Sequence, residues 1–469
     1  MKTTLILFSL IGLTACTVGP DYSRPHLPTP KSYPESIDST QKISVKWWKD
    51  LNDETLNQLM LKALRVNTDL RLAVARVEEA QAGLDDVAGA QFPEIDASAG
   101  YSKNRISAQG YSSISPTNGR SRPLYRGGLS TVFELDFWGK LRRAEEGARA
   151  QLLAAQEAKK QVQLGLTTSV VRAYTALRLA DSQMASVLEI KTVRDEELRI
   201  VTERFKVGSV SASDVAQAQV NQANAITALS ETTRIRAQAL HLLGSLMGEP
   251  ALVIQATTQP ALPVPPIPAA GLPSDLLRQR PDIIAAEQNL IAANARIGYT
   301  KAAYFPTFSL TGALGLESRE FSALTDSASS TSILGVDLRV PVLDFGRTTA
   351  RVDAAIALQH QAAVNYEKTV LQAFREVRNA LVDVRETSLA SEAAEQRETA
   401  AREAFRVAES RYQQGQMTPF DFLSARRLLV ESQSGVAKVR ADRIGAHLDL
   451  IKALGGSVVA EIESVAEIE

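Results

Sequence analysis

The side chains that most often carry enzyme chemistry are few and scattered in this 469-residue chain. None of its histidines has a carboxylate or a cysteine at metal-ligand spacing. The histidines are His26, His241, His360 and His447. The sequence also has no phosphate-binding loop, no Gly-x-Ser-x-Gly turn and no setting for a catalytic cysteine. We therefore predict that the protein is not an enzyme and that it binds neither a cofactor nor a metal.

The one cysteine, Cys16, stands where a lipid could be attached. Residues 5–13 form an apolar stretch of signal-peptide length, and Leu-Thr-Ala-Cys follows at 13–16. This tetrapeptide resembles the bacterial lipobox, which implies a signal peptide over residues 1–15 and diacylglycerol plus an N-acyl chain on Cys16. The alternative is a signal peptide that is cut nearby and an incidental cysteine. Because Thr17 follows Cys16 where an aspartate would signal inner-membrane retention, the outer membrane is favoured.

Two halves of the chain repeat each other, so we predict a tandem duplication. The spacing from Arg204 to Arg411 is 411 − 204 = 207 residues, and LDFWGK at 135–140 answers LDFGR at 343–347. A net charge of −1 with dispersed basic residues does not indicate a nucleic-acid partner. We divide the chain into an extended leader (16–46), repeat 1 (47–254), a Pro-rich connector (255–273), repeat 2 (274–457) and a C-terminal tail (458–469).

Each repeat combines helical patterns with two short segments in which apolar and small or polar residues alternate. The alternation predicts strands at about 95–101 and 129–137, and at about 307–316 and 333–343. The three later segments are long enough to cross a bilayer at a tilt. The helical patterns cover residues 53–91, 140–204, 212–247, 274–304, 348–411 and 419–454.

Alternation alone is compatible with a soluble sheet as well as with membrane hairpins. Four strands cannot close a barrel, and open sheet edges are not tolerated in lipid. Membrane hairpins would therefore be pooled between chains. Two chains would supply eight strands around a largely filled interior, whereas three would supply twelve and leave a passage. The expected fold class is mainly α with a membrane β-barrel, and a pore favours three chains.

Two helix-turn-helix tips follow the longest helical patterns. In each tip an arginine lies in the last helical turn, a glycine ends the helix, and a hydroxyl-x-x-aspartate capping box begins the next helix. These residues are Arg204, Gly208, Ser211 and Asp214 in the first tip and Arg411, Gly415, Thr418 and Asp421 in the second. Capping explains these residues without any functional role, so a functional role for the tips is an alternative at this point.

The segment LPSDLLRQRPDIIAAEQNLIAANARIG, at 272–298, resembles the signature of the TolC-like outer-membrane efflux factors. CTVGPDYSRP, at 16–25, resembles the mature start of their lipoprotein branch, the NodT-type partners of resistance-nodulation-division (RND) pumps. The tryptophan pair at 47–48, the LDFWGK junction and RYQQG at 411–415 add to the resemblance, which covers essentially the whole mature chain.

This resemblance implies a homotrimer in which a twelve-stranded outer-membrane β-barrel, four strands per chain, continues into a periplasmic barrel of twelve helices. It implies a passive, gated exit duct for drugs, toxic organics or metal ions. An inner-membrane RND pump would supply the energy, and a periplasmic membrane-fusion adaptor would dock at the tips. No catalysis is implied.

The resemblance also assigns roles to the tip residues. The adaptor would contact Arg204, Gly208, Ser211, Gly415 and Thr418. The gate would involve Asp214, Arg411, Tyr412, Phe420, Asp421 and Ser424. Many members of the family carry an aspartate where this chain has Ser424, so we expect an apolar gate, narrowed by Phe420, instead of a charge-selective one.

Two other interpretations compete with the efflux duct. The first is the outer-membrane channel of a type I protein secretion system, against which the lipobox argues because those channels are usually not lipidated. Neighbouring genes would discriminate the two. The second is a coiled-coil spacer lipoprotein, which would not explain the four alternating segments.

Overall fold

The computed structural model describes residues 17–28, 30, 32–35, 43–44, 46–107, 109, 121–256, 262–271 and 273–456. The described helices are α1 Glu54–Val66, α2 Thr68–Gly89, α3 Lys140–Lys206, α4 Ala212–Leu246, α5 Pro273–Gln279, α6 Pro281–Lys301, α7 Arg347–Gln413 and α8 Pro419–Ala453. The strands are β1 Glu94–Arg105, β2 Ser121–Leu135, β3 Thr307–Ser318 and β4 Ser330–Arg339. The predicted signal peptide, Cys16 and the tail at 458–469 lie outside the described residues.

The chain divides into two compact units. Of the described residues, unit 1 contains those up to His26 together with those within 77–155 and 286–366, and it holds the four strands. Unit 2 contains the described residues within 27–76, 156–285 and 367–456, and it holds most of the helical residues.

The four strands form one antiparallel sheet in the order β1-β2-β3-β4. The predicted strand positions are correct, but their bounds are not. The first hairpin extends further, because β1 runs on to Arg105 and β2 begins at Ser121. β4 ends at Arg339, earlier than the predicted residue 343, because Pro341 has no N–H to donate to a ladder.

The sheet has one apolar and one polar face. Register places Phe133, Leu310 and Val336 side by side on one face across β2, β3 and β4. The neighbouring row, Glu134, Ser309 and Asp337, lies on the other. The apolar face is open, with Leu334 90% exposed.

Two predicted helices are broken. α1 and α2 are separated at Asn67, whose Oδ1 accepts the N–H groups of Asp69 and Leu70 at 3.0 and 3.1 Å and so caps α2. α5 and α6 are separated at Arg280, because Pro281 disfavours helical geometry in the residue before it and begins the next helix well. The two long helices match their predicted extents closely, and each has 67 residues.

The core of unit 2 lies where α1 packs on the middle of α3. The tryptophan pair at 47–48 makes an edge-on contact and is buried there with Leu56, Met60, Tyr174 and Leu243. The tryptophan pair therefore packs in the core of this unit. Apolar burial of this kind stabilises by about 25 cal/mol per Å².

Within the described ranges no helix is both long and apolar enough to cross a membrane. The same residues contain no group of histidine, cysteine or carboxylate side chains arranged to hold a metal ion.

Candidate functional site

The first tip, between α3 and α4, is ordered by backbone capping. Gly208 adopts φ +73°, and the Ser209 N–H donates to the carbonyl of Arg204 at 2.9 Å, which closes the helix end. Ser211 and Asp214 then form a complete capping box, in which the Ser211 N–H donates to Asp214 Oδ2 at 2.8 Å. These bonds, above all the one from the Ser211 backbone, hold the pKa of Asp214 below its usual range.

The second tip, between α7 and α8, repeats the glycine closure. Gly415 has φ +68°, and the Gln416 N–H donates to the Arg411 carbonyl at 2.8 Å. Thr418 caps α8, since its hydroxyl accepts the Asp421 N–H at 3.2 Å and donates to Asp421 Oδ2 at 2.7 Å. No return bond from the Thr418 backbone accompanies them among the described contacts, so only the first tip has the full box.

The second tip also contains an aromatic stack that the sequence analysis missed. Tyr412, near the end of α7, stacks on Phe422, in the first turn of α8, with ring centroids 4.6 Å apart and planes 7° apart. Phe405 meets the same ring at 5.7 Å. Phe420 is not among the rings of this stack and is 49% exposed. Only the spacing of aromatic residues across the turn could have suggested the contact.

The gate candidates fall on both tips, Asp214 on the first and the other five on the second, and no ion pair between them is found among the described residues. In the described part of this single chain, Arg411 makes no salt bridge with Asp214 or Asp421. Ser424 Oγ accepts a long hydrogen bond from Arg427 at 3.5 Å. The structure therefore assigns both aspartates to helix capping within one chain.

Two polar contacts near the tips connect different helices. Arg426 of α8 pairs with Glu189 of α3 at 3.0 Å, so this contact joins the two predicted repeats. Gln222 of α4 donates to Asp195 of α3 at 2.8 Å, within repeat 1. Neither was predicted. Arg426 and Glu189 lie 237 residues apart in the sequence, so their pairing leaves no local signal, and Gln222 and Asp195 lie on different helices.

Aromatic rings mark both ends of the sheet in unit 1. At one end Tyr101, Tyr125 and Phe321 pack in series, with centroid distances of 4.7 and 5.6 Å. At the other end Trp138 stacks on Phe305 at 4.8 Å, and its indole N–H donates to the Pro306 carbonyl at 2.7 Å. In membrane proteins, tyrosine and tryptophan rings are typically found at the two limits of an apolar band, where the bilayer meets water.

A family model described as "Outer membrane efflux protein" matches residues 59–249 and 272–456, which is most of the sequence. The chain belongs to the outer membrane efflux protein family. The resemblance found in the sequence is therefore confirmed.

Relatives of the family match nearly the full length. The toluene efflux pump outer membrane protein TtgI of Pseudomonas putida is 32% identical over 472 residues, covering 97% of this chain and 98% of that protein. The cation efflux system protein CusC of Escherichia coli is 30% identical over 454 residues, covering 95% and 97%. Among solved structures, the Campylobacter jejuni CmeC outer membrane channel has a TM-score of 0.84 at 27% identity, covering 95% of this chain and 96% of that one. The protein is thus an outer-membrane component of an efflux pump.

The segment that carries the family resemblance is anchored by a buried arginine. Arg280, 5% exposed, donates to Asp282 at 2.6 Å, to Glu376 of α7 at 2.8 Å and to the Ala453 carbonyl at the end of α8 at 2.7 Å. These hydrogen bonds offset the cost of burying its charge and raise the pKa of Arg280. Sequence analysis predicted a helix here but no role for this side chain.

Proposed function

We propose that three copies of this efflux protein assemble into a passive exit duct, with a twelve-stranded barrel in the outer membrane and twelve packed helices in the periplasm. The observation that carries the proposal is the four-stranded sheet with an open apolar face. Within the described chain, neither β1 nor β4 has a partner on its outer edge. Unpaired edge groups cost several kcal/mol each in lipid, so the sheet requires closure by further copies.

The height of the apolar face fits a bilayer. Tyr125 and Leu135 of β2 are 135 − 125 = 10 residues apart and lie level with the two aromatic ends. At about 3.4 Å per residue this is about 34 Å of strand, and about 26 Å of height at a tilt of 40°. Outer-membrane barrels have an apolar band about 25 Å tall between aromatic girdles.

The copy number follows from the need for a passage. Two copies would give eight strands, whose interior is filled by side chains. Three copies give twelve strands and room for a lumen, which the polar face with Glu134, Ser309 and Asp337 would line. The structural neighbours CmeC, OprN and MtrE are outer membrane channels.

The tips are proposed as the periplasmic entrance. Arg204, Gly208, Ser211, Gly415 and Thr418 would contact the adaptor. Phe420 would narrow an apolar gate, because it is exposed and free to meet the same residue of other copies. Asp214, Arg411, Tyr412, Asp421 and Ser424 would support the closed state. The capping glycines Gly208 and Gly415 close the turns of the two helical hairpins, so each hairpin could move as a rigid body when the entrance opens.

The remaining partners are proposed from the family. Cys16 would carry diacylglycerol and an N-acyl chain in the outer membrane, and an RND pump with its adaptor would deliver cargo. Relatives are named for toluene, solvent, cation and pyoverdine export, so we propose small toxic compounds as cargo. A type I secretion channel is not favoured, since these relatives are efflux proteins.

The test is planar-bilayer conductance of the purified, acylated protein, with its oligomeric mass measured in the same detergent. We expect trimers with a small and mostly closed conductance. A variant without residues 95–135 and 307–339 should lose both conductance and heat-resistant trimers. A monomer, or a hairpin-deleted protein that still forms such trimers in the membrane, would refute the duct and support the spacer lipoprotein.

A further inference from the structure

Residues 17–24, the first described part of the predicted leader, lie in unit 1 against both predicted repeats. On repeat 1, the Val18 N–H donates to the Trp138 carbonyl at 2.9 Å, and Arg143 donates to Asp21 at 2.7 Å. On repeat 2, Asn294 donates to the Pro20 carbonyl at 2.9 Å. The leader therefore bridges the start of α3, which follows β2, and α6, which leads into β3.

A buried carboxylate forms the centre of this contact. Arg24 donates to both oxygens of Glu287, Nε to Oε1 and Nη2 to Oε2, each at 2.6 Å. Tyr22 donates its hydroxyl to Glu287 Oε1 at 3.0 Å. The Glu287 side chain is 7% exposed, whereas that of Arg24 is 46% exposed. A bidentate arginine–carboxylate pair is both strong and specific in geometry.

Glycines allow the leader to approach the helices closely. A Cβ on Gly298 of α6 would lie 2.6 Å from the Val18 carbonyl oxygen, so no side chain fits there. A Cβ on Gly139 would lie 2.6 Å from Thr17 Cγ2, and Gly139 also has φ +75°. The leader thus lies in a groove that is matched to its backbone.

This groove is not duplicated. Aligned on the Phe-Pro pairs, the repeats are offset by 305 − 92 = 213 residues, which places Val74, Gln81 and Asp85 of repeat 1 opposite Glu287, Asn294 and Gly298. The Val74 side chain has no hydrogen-bond acceptor to replace the Glu287 carboxylate. The Gln81 amide already donates to Asp85 on its own helix at 2.8 Å. LDFGR in repeat 2 also lacks a counterpart of Trp138. One leader has one possible site.

We propose that Trp138 and Arg143 of repeat 1, with Glu287, Asn294 and Gly298 of repeat 2, form a binding site for the leader, whose occupation ties the hairpin-bearing ends of the two repeats together. The partner is an extended peptide that presents a Tyr-x-Arg pair to the carboxylate. The site works without the lipid, because its contacts begin at Thr17. Where Cys16 is acylated, as proposed above, the docked leader holds the anchor beside the aromatic base of the sheet.

The experiment measures chymotryptic cleavage after Tyr22 in the full acylated chain in detergent, followed as the mass fragment that begins at Ser23. A docked leader cannot enter the protease, so cleavage reports the undocked population. We expect Arg24→Ala and Glu287→Gln each to accelerate cleavage about ten- to hundred-fold, as the loss of a charge-assisted pair predicts. Glu231→Gln, the same change at an exposed pair on α4, is the matched control and should leave the rate unchanged.

Three further readouts make the test decisive. The double variant Arg24→Ala/Glu287→Gln should be cleaved no faster than the faster single variant, because both remove one contact. Cys16→Ser should leave the leader protected. The single variants should also lower the fraction of heat-resistant oligomers. Rates equal to the control, additive effects or a leader released by Cys16→Ser would overturn the proposal. A wild-type protein that forms no trimer yet protects its leader would refute only the proposed duct.

Discussion

Breaking the ion pair between Arg426 and Glu189 should open the proposed duct. The pair joins α8 of repeat 2 to α3 of repeat 1 near the tips, with a nitrogen–oxygen distance of 3.0 Å. If opening moves one helical hairpin away from the other, this contact breaks, whereas the Tyr412–Phe422 stack lies within one hairpin and persists. Arg426→Ala therefore destabilises only the closed state.

The size of the effect follows from exposure. The two side chains are 38% and 41% exposed, so each pair contributes about 0.2–1 kcal/mol, as partly exposed pairs do. Three copies that open together would lose about 0.6–3 kcal/mol of closed-state stability. That range corresponds to a rise of roughly 3- to 150-fold in the ratio of open to closed channels.

The assay is the open probability of single channels in planar bilayers at about 0.1 M and about 1 M salt. Exposed pairs are screened at high salt, so the difference between Arg426→Ala and the wild type should shrink there. Arg199→Ala is the matched control, because Arg199 pairs with Glu196 within α3 and spans no two helices. Glu189→Ala should reproduce Arg426→Ala, and the double variant should add nothing.

The reasoning is wrong if Arg426→Ala and Arg199→Ala open the channel equally, since the effect would then not depend on a bridge between helices. It is also wrong if the two single variants add in the double variant. If the open probability is unchanged in Arg426→Ala, in Glu189→Ala and in the double variant, this ion pair does not hold the channel closed. The resistance to opening would then lie elsewhere, at the ring that Phe420 is proposed to form.

Three further predictions concern capping and the buried arginine. Gly208→Ala and Gly415→Ala should each destabilise a tip by about 1 kcal/mol, seen as faster local amide exchange, because both positions have positive φ with open space around a Cβ. Arg280→Lys should lower the unfolding free energy by about 2–3 kcal/mol in denaturant titrations, because lysine cannot reproduce the forked bonds. Arg278→Lys, at an exposed position on the preceding helix α5, should leave it unchanged. The pKa of Asp214 is depressed in the folded tip. The stability that ionised Asp214 gives the tip is therefore present above its unfolded pKa of about 4 and is lost as pH falls through the lower folded pKa. Asp214→Asn should remove this acid dependence from amide exchange at the first tip.

Much of the fold could be predicted because its signals are local. Gly208 and Gly415 fix the ends of the long helices through backbone geometry that needs no distant partner. Alternation located all four strands, but their ends depend on which residues find ladder partners. Pro341 gave a usable signal for the end of β4, and Pro281 for the break before α6. Both were overlooked in favour of longer periodic patterns.

The side-chain contacts of the candidate sites could not be predicted from the sequence, because they join residues that are distant in the chain. Arg426–Glu189 and Arg24–Glu287 each join residues more than 200 positions apart. A surface glutamate and a buried one look the same in sequence, because burial is decided by which element packs over them. Asn67 is similar: its carboxamide caps α2, yet asparagine in an apparently helical pattern gives only a weak indication of a break.

The two predicted repeats each supply a hairpin to the sheet but bind the leader through different residues. Each repeat alone supplies one hairpin, and pairing β2 with β3 joins the hairpins without distinguishing one repeat from the other. The leader makes that distinction, because it binds Trp138 of the first and Glu287 of the second, and their counterparts lack the same chemistry. A closed ring of strands needs one fixed pairing of its hairpins, and a one-residue slip in that pairing moves every apolar side chain of the slipped strand to the lumen. An asymmetric clamp at the base of the sheet therefore favours one order over the other before the edges meet another copy.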